Sequence, residues 1–332
     1  MSNPIIQVFP LGFPWQTQDP FLFCVYHLDH YPKGNSEMGP ATSLEGRNLG
    51  NDFTIKDGWR MYHGRTIPGF PAHPHRGFET ITIVNKGYCD HSDSLGAAGR
   101  FGEGDVQWMT AGKGVQHSEM FPLLNEGTEN TLELFQIWLN LPQKDKFAEP
   151  HFKMLWHEDI PIVHEKNATI KIIAGNYRGN QANDPAPDSW ASNLENDVAI
   201  WNIHVDAEKE YALPKADTDV SRTLYFYEGA EIYIGDEKIL PNYGITLNPA
   251  QEIVVRAGTQ KAQLLLLQGK PISEPVAKYG PFVMNSDEEI QQAMQEYRLT
   301  QFGGWPWPHP DNVHSKKKGR FAKYPDGTLI EK

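Results

Sequence analysis

A chain of 332 residues can form two domains of ordinary size, and its 30 Lys and Arg against 42 Asp and Glu leave a formal net charge of -12. This balance argues against nucleic acid as a direct partner, because phosphate neutralisation cannot be the source of affinity. Two cysteines, Cys24 and Cys89, are too few for a disulfide framework or a cysteine zinc site and read as free thiols in a reducing compartment.

The first residues, Met1-Ser-Asn-Pro-Ile-Ile, carry no basic region followed by an apolar core. No stretch has the uninterrupted apolar length of a membrane span, so the expectation is a cytoplasmic protein without membrane contact. Phe21–Tyr26 has strand composition, and residues 35–57, rich in Gly, Asn and Ser, predict a loop able to act as a lid. The alternation Glu79-Thr-Ile-Thr-Ile-Val84 predicts a strand ending at the Asn85-Lys-Gly87 turn, with Tyr88–Ser92 returning as a hairpin. His91 reads as a turn residue, and Asp93 and Ser94 can bond the turn backbone. Glycines at 96, 99, 102 and 104 separate short strands, Asp105–Met109 is a further strand, and Thr131–Asn140 alternates strongly before Leu141-Pro142. A second block repeats this order in Ser221–Gly229, Glu231–Gly235, Gly244–Leu247, Glu252–Arg256 and Gln263–Leu267. The reading is all-β: two similar, jelly-roll-like barrels related by duplication, with an N-terminal barrel over 1–142 and a second over 143–280. Residues 281–332 form a helix and tail expected to pack back on the barrels. Ser286 with Glu289 makes a capping box ahead of a helix that puts Ile290, Met294 and Tyr297 on one face. Trp305 and Trp307, set among prolines, need apolar cover, and the Lys316–Arg320 run reads as a solvated patch.

The stretch that carries chemistry is Gly69-Phe-Pro-Ala-His73-Pro-His75 together with His117-Ser-Glu119. Residues i and i+2 of a strand share a face, so each pair can aim two donors at one point. If the two strands are neighbours, His73, His75, His117 and Glu119 meet as a metal site; otherwise the histidines are surface or hydrogen-bonded core residues. The second block has neither His-X-His nor His-X-Glu, so one metal per chain is expected, in the first barrel. Mixed nitrogen and oxygen ligation suits several divalent transition metals. Glu119 is the candidate base, since a carboxylate can shift coordination and accept a proton while a ligated imidazole cannot. Glu79 is assigned a supporting place beside the ligands, paired with Arg76, and Trp108 is assigned to the core.

His73-Pro-His-Arg-Gly-Phe-Glu-Thr80, His91-Ser-Asp-Ser94, Gly104–Gly112, His117-Ser-Glu119 and the late Phe302-Gly-Gly-Trp-Pro-Trp307 resemble the signature of the pirin family, a branch of the cupin superfamily. The resemblance implies a bicupin with one iron site in the N-terminal barrel, held by His73, His75, His117 and Glu119. It further implies a quercetin 2,3-dioxygenase-like activity, with Fe(II) and O2 opening a flavonol. The alternative is a non-catalytic iron- or redox-sensing protein that binds a protein partner. Residues 35–57 look longer than the compact entry of typical pirins, which bears on the approach to the site.

Overall fold

The computed structural model of the chain describes residues 3–332. Strands dominate, and Asp287–Thr300 is the one α-helix among the described residues. None of the described helices is long and apolar enough to cross a membrane.

The chain divides into two compact units. The first comprises Tyr26–Gln136, Leu141–His157 and Glu274–Lys332; the second comprises the described part of Met1–Val25, Ile137–Asn140 and Glu158–Ser273. These units are not the contiguous blocks drawn on the sequence, and strand pairing explains why. Ile5–Pro10 runs antiparallel to Tyr243–Leu247, with Val8 opposite Ile245, so the amino-terminal segment groups with the second unit. A side chain at Gly244 would meet the Phe9 ring at 2.4 Å, so glycine is what permits this pairing. Phe321–Lys323 pairs with Ala98–Gly102, which groups the tail with the first unit.

Each unit is built from two antiparallel sheets around its own core. In the first, one sheet takes the order Leu329–Glu331, Phe321–Lys323, Ala98–Gly102, Tyr88–Asp93, Val115–Met120, Gly69–His75. The other takes the order His151–Leu155, Val106–Thr110, Phe78–Lys86, Asn130–Asn140, Phe21–Tyr31, where Ile137–Asn140 and Phe21–Val25 are the ends of the last two strands that group with the second unit. Cys89 and Phe101 of one sheet and Val84, Leu134 and Phe152 of the other meet in one buried apolar cluster. Burial of such side chains, each contributing roughly 1.5–3 kcal/mol, is what holds the sheets face to face. In the second unit a seven-stranded sheet, with Ser221–Glu228 and Ala262–Gly269 among its inner strands, shares a core with a four-stranded sheet. The strands of the second block appear in the predicted order.

The helix starts where its capping box places it: Ser286 Oγ accepts the Glu289 N–H, and the Glu289 carboxylate accepts the Ser286 N–H. Ile290 and Ala293 are buried against Phe282, Met284 and Phe302, with Met294 and Tyr297 at the margin. Residues 35–57 are irregular as expected, yet they are pinned. Arg47 bonds Asp52 and the Trp59 carbonyl, each at 3.0 Å, and its guanidinium lies over the Trp59 ring. Cys24 and Cys89 are buried free thiols.

Candidate metal centre

Gly69–His75 and Val115–Met120 are antiparallel neighbours with His73 opposite His117, the arrangement the two dyads require. A register shift between Phe70 and His73 brings His73 level with His117, with His75 opposite Val115 and Glu119 opposite Phe70. The ring centroids lie 4.4 Å (His73 to His117), 4.8 Å (His73 to His75) and 4.9 Å (His75 to His117) apart. One ligand atom from each of the three histidines falls within 4.8 Å of the others. Glu119 adjoins them through His117, its Oε2 lying 3.8 Å from His117 Nε2.

The surroundings select the form of each group. His73 Nδ1 donates to the Pro71 carbonyl at 2.9 Å, which leaves Nε2 as its free donor atom. Burial lowers the His73 pKa to about 4, opposed by the Pro71 contact. Burial, then the neighbouring imidazoles, holds His75 and His117 well below the ordinary histidine value. Neutral imidazole is the form that ligates a metal. His117 is fully buried with no hydrogen-bond partner on either ring nitrogen, an arrangement that costs about 1–3 kcal/mol per group unless a ligand completes it. Three neutral imidazoles beside one carboxylate therefore fit a divalent transition metal.

Glu119 is also buried, and burial raises its carboxyl pKa against the Thr82 hydrogen bond and the His91 ring. Thr82 Oγ1 donates to Glu119 Oε1 at 2.8 Å and lies 2.8 Å from the Gln136 amide. Thr82 and Gln136 come from the facing sheet and have no place in the sequence motifs. The available signal is the alternation in Phe78–Lys86, where Thr80 and Thr82 form the polar parity against Ile81 and Ile83.

Two sequence assignments are corrected. Glu79 does not pair with Arg76 beside the ligands. The break at Arg76-Gly77, with Gly77 at φ +86, restarts the alternation, so strand parity does not carry over from His75 to Glu79. Glu79 Oε1 instead accepts from Trp108 Nε1 at 3.1 Å and Thr110 Oγ1 at 2.8 Å, while Arg76 pairs with Glu296. Trp108 is fully buried, as assigned. His91 is not a turn residue: it sits within Tyr88–Asp93, fully buried, opposite Glu119, with Nε2 3.1 Å from Asp93 Oδ2. Asp93 does serve the turn, its Oδ1 accepting the Leu95 and Ala97 N–H groups at 2.9 Å.

The pirin family model matches residues 34–139, and the model of the pirin C-terminal cupin domain matches residues 200–303. The chain belongs to the pirin family. Its two barrels are the paired cupin domains of that family, and the bicupin reading holds. A Pseudomonas aeruginosa protein provisionally named a quercetin 2,3-dioxygenase is 38% identical over 238 residues, spanning 70% of this chain and 79% of its own length. Human pirin is 32% identical over 250 residues, with 73% of this chain and 80% of its own covered. The crystal structure of a quercetin 2,3-dioxygenase from Acinetobacter baumannii shares the fold with a TM-score of 0.70 at 23% identity, over 90% of this chain and 98% of that one.

Proposed function

We propose that this pirin-family chain is a metal-dependent dioxygenase of the quercetin 2,3-dioxygenase kind, taking a flavonol-like chelating substrate and O2. The observation that carries the reading is the close cluster of three histidines, His73 half-buried and His75 and His117 buried, with His117 unpartnered at both ring nitrogens, beside the buried Glu119 carboxylate. His73, His75, His117 and Glu119 are the proposed ligands, for Fe(II) first and for other divalent transition metals next. When bound, the metal supplies Lewis-acid activation of a chelating hydroxyl.

The chain's own residues supply the proton handling. Glu119 is the proposed base, receiving the substrate hydroxyl proton on Oε2 while Thr82 holds Oε1 in place. Burial raises its pKa, the direction that favours taking up a proton. The Pro71 carbonyl keeps His73 in one tautomer, and burial keeps the trio from protonating in the neutral range. The name of the Pseudomonas aeruginosa relative supports the reaction class. A cytoplasmic location, without membrane or nucleic-acid contact, accords with the net charge of -12 and the two free thiols.

The test is anaerobic loading with Fe(II), addition of quercetin, then air. Oxygen uptake with carbon monoxide release is expected. Unchanged flavonol would instead favour the second reading, an iron- or redox-sensing protein that presents a surface to a protein partner.

A further inference from the structure

Each of the three histidines has a chain neighbour held by the C-terminal segment. Next to His73, the Ala72 N–H donates to the Pro310 carbonyl at 2.7 Å. Next to His75, the Arg76 N–H donates to the Pro281 carbonyl at 3.3 Å, and the Arg76 carbonyl accepts from Val283 N–H at 3.0 Å. The Arg76 guanidinium also pairs with Glu296 at 2.8 Å and lies 4.5 Å from the centre of the Phe302 ring. Next to His117, Gln116 Nε2 donates to the carbonyls of Gln301 at 2.6 Å and Gly304 at 3.2 Å, while its Oε1 accepts from the Tyr297 hydroxyl at 2.9 Å. Backbone groups of Ala72 and Arg76 and the side chains of Arg76 and Gln116 carry these contacts, and Pro281 also reaches the His75 ring, so the C-terminal segment holds both ligand strands next to the imidazoles.

Part of the grip falls on an edge strand of the sheet. Gly69–His75 is the last strand of its six-stranded sheet, so one of its edges lacks a ladder partner, and it carries the register shift described above. An edge strand with an irregular register is poorly fixed by pairing alone. Seating Phe302 requires the bare Cα of Gly114, where an added Cβ would come within 2.7 Å of the ring.

We propose that residues 281–310 act as a clamp that sets the spacing of the three histidines, with Gln116 and Arg76 as positioning residues, so that docking of the tail and binding of the metal are coupled. The proposal rests on the metal-centre reading given above. Coupling of this kind is reciprocal: whatever the clamp adds to metal affinity, the metal adds to clamp closure. A loosened clamp lets Gly69–His75 drift against Val115–Met120, and displacement of about 1 Å is enough to spoil a ligand set.

The experiment uses the full chain loaded with Co(II). In Gln116→Leu, which removes three hydrogen bonds at similar volume, Co(II) release to excess chelator is expected to accelerate ~10–100-fold, the usual cost of losing support outside the ligands. The visible Co(II) spectrum should shift, and amide exchange over residues 297–310 should quicken. Tyr297→Phe removes one of the three bonds and should move all readouts the same way by less; it stands in if Gln116→Leu does not fold. Leu299→Ala, at an 86% exposed position of the same helix, should change none of them. In the unsubstituted protein Co(II) should slow exchange over residues 297–310. Release and spectrum unchanged while the tail exchanges faster would overturn the clamp, as would exchange indifferent to Co(II). A chain that binds no Co(II) at all would overturn the metal-centre reading, and the clamp with it, whereas bound Co(II) without flavonol turnover would leave the clamp standing and remove only the enzyme.

Discussion

Exchanging Glu119 for glutamine changes one oxygen and little else. Glu119 Oε1 already accepts the Thr82 hydroxyl at 2.8 Å, and a glutamine carbonyl can keep that bond. The loss falls on Oε2, 3.8 Å from His117 Nε2, where an anionic oxygen becomes an NH2 group. Burial already disfavours the charged carboxylate, as its raised pKa records, so the metal-free variant should be as stable as the parent or slightly more so. Metal affinity should fall modestly, since the three imidazoles remain. Turnover should fall much further, by the 10²–10⁴-fold typical of a lost general base, which corresponds to about 3–5 kcal/mol of barrier. The assay is oxygen consumption with quercetin at Fe(II) concentrations that saturate both proteins, alongside thermal unfolding without metal. Turnover surviving at the parental rate with the metal bound would refute the reasoning and place the base elsewhere.

Three further outcomes follow from single side chains. His75→Ala should remove most of the approximately one metal equivalent per chain, and elemental analysis finding two equivalents in the parent, or full retention in the variant, would contradict a single site built on these histidines. Gly77→Ala should destabilise by roughly 3 kcal/mol or more, because φ is +86 and a Cβ would sit 1.9 Å from the Val283 carbonyl oxygen; an unchanged urea midpoint would contradict that crowding. Lys146, 1% exposed with Nζ donating to the Gly77 carbonyl, has its pKa lowered to about 7 by burial against the pull of Glu274 and Glu289. Between about pH 10 and 7 the unfolded chain takes up a proton that the folded chain refuses, so this group's contribution to stability falls by roughly 1.4 kcal/mol per unit as pH drops, then levels. The stability of Lys146→Met relative to the parent should therefore rise as pH falls from 10 to 7 and stay flat below; a pH-independent difference measured by urea titration would rule out the depressed pKa.

His73 and His75, and His117 and Glu119, could be paired from the sequence because a strand repeats every two residues, and that period is set by local backbone geometry. The capping box at Ser286 and Glu289 was legible for the same reason: the bonds it makes reach only three residues. Parity failed at Glu79, where one glycine at positive φ restarted the alternation, and the turn role read for His91 failed because it lies inside the returning strand. Nothing local announces that Thr82 bonds Glu119, 37 residues away, or that Gln116 meets the Gln301 carbonyl, 185 residues away. Such contacts depend on which sheet faces which and on where the chain returns, and those are decided by burial of apolar faces across the whole unit. The ligand types were therefore written in short sequence patterns, while the groups that hold Glu119 and the segment that grips the ligand strands exist only once the tertiary structure has formed.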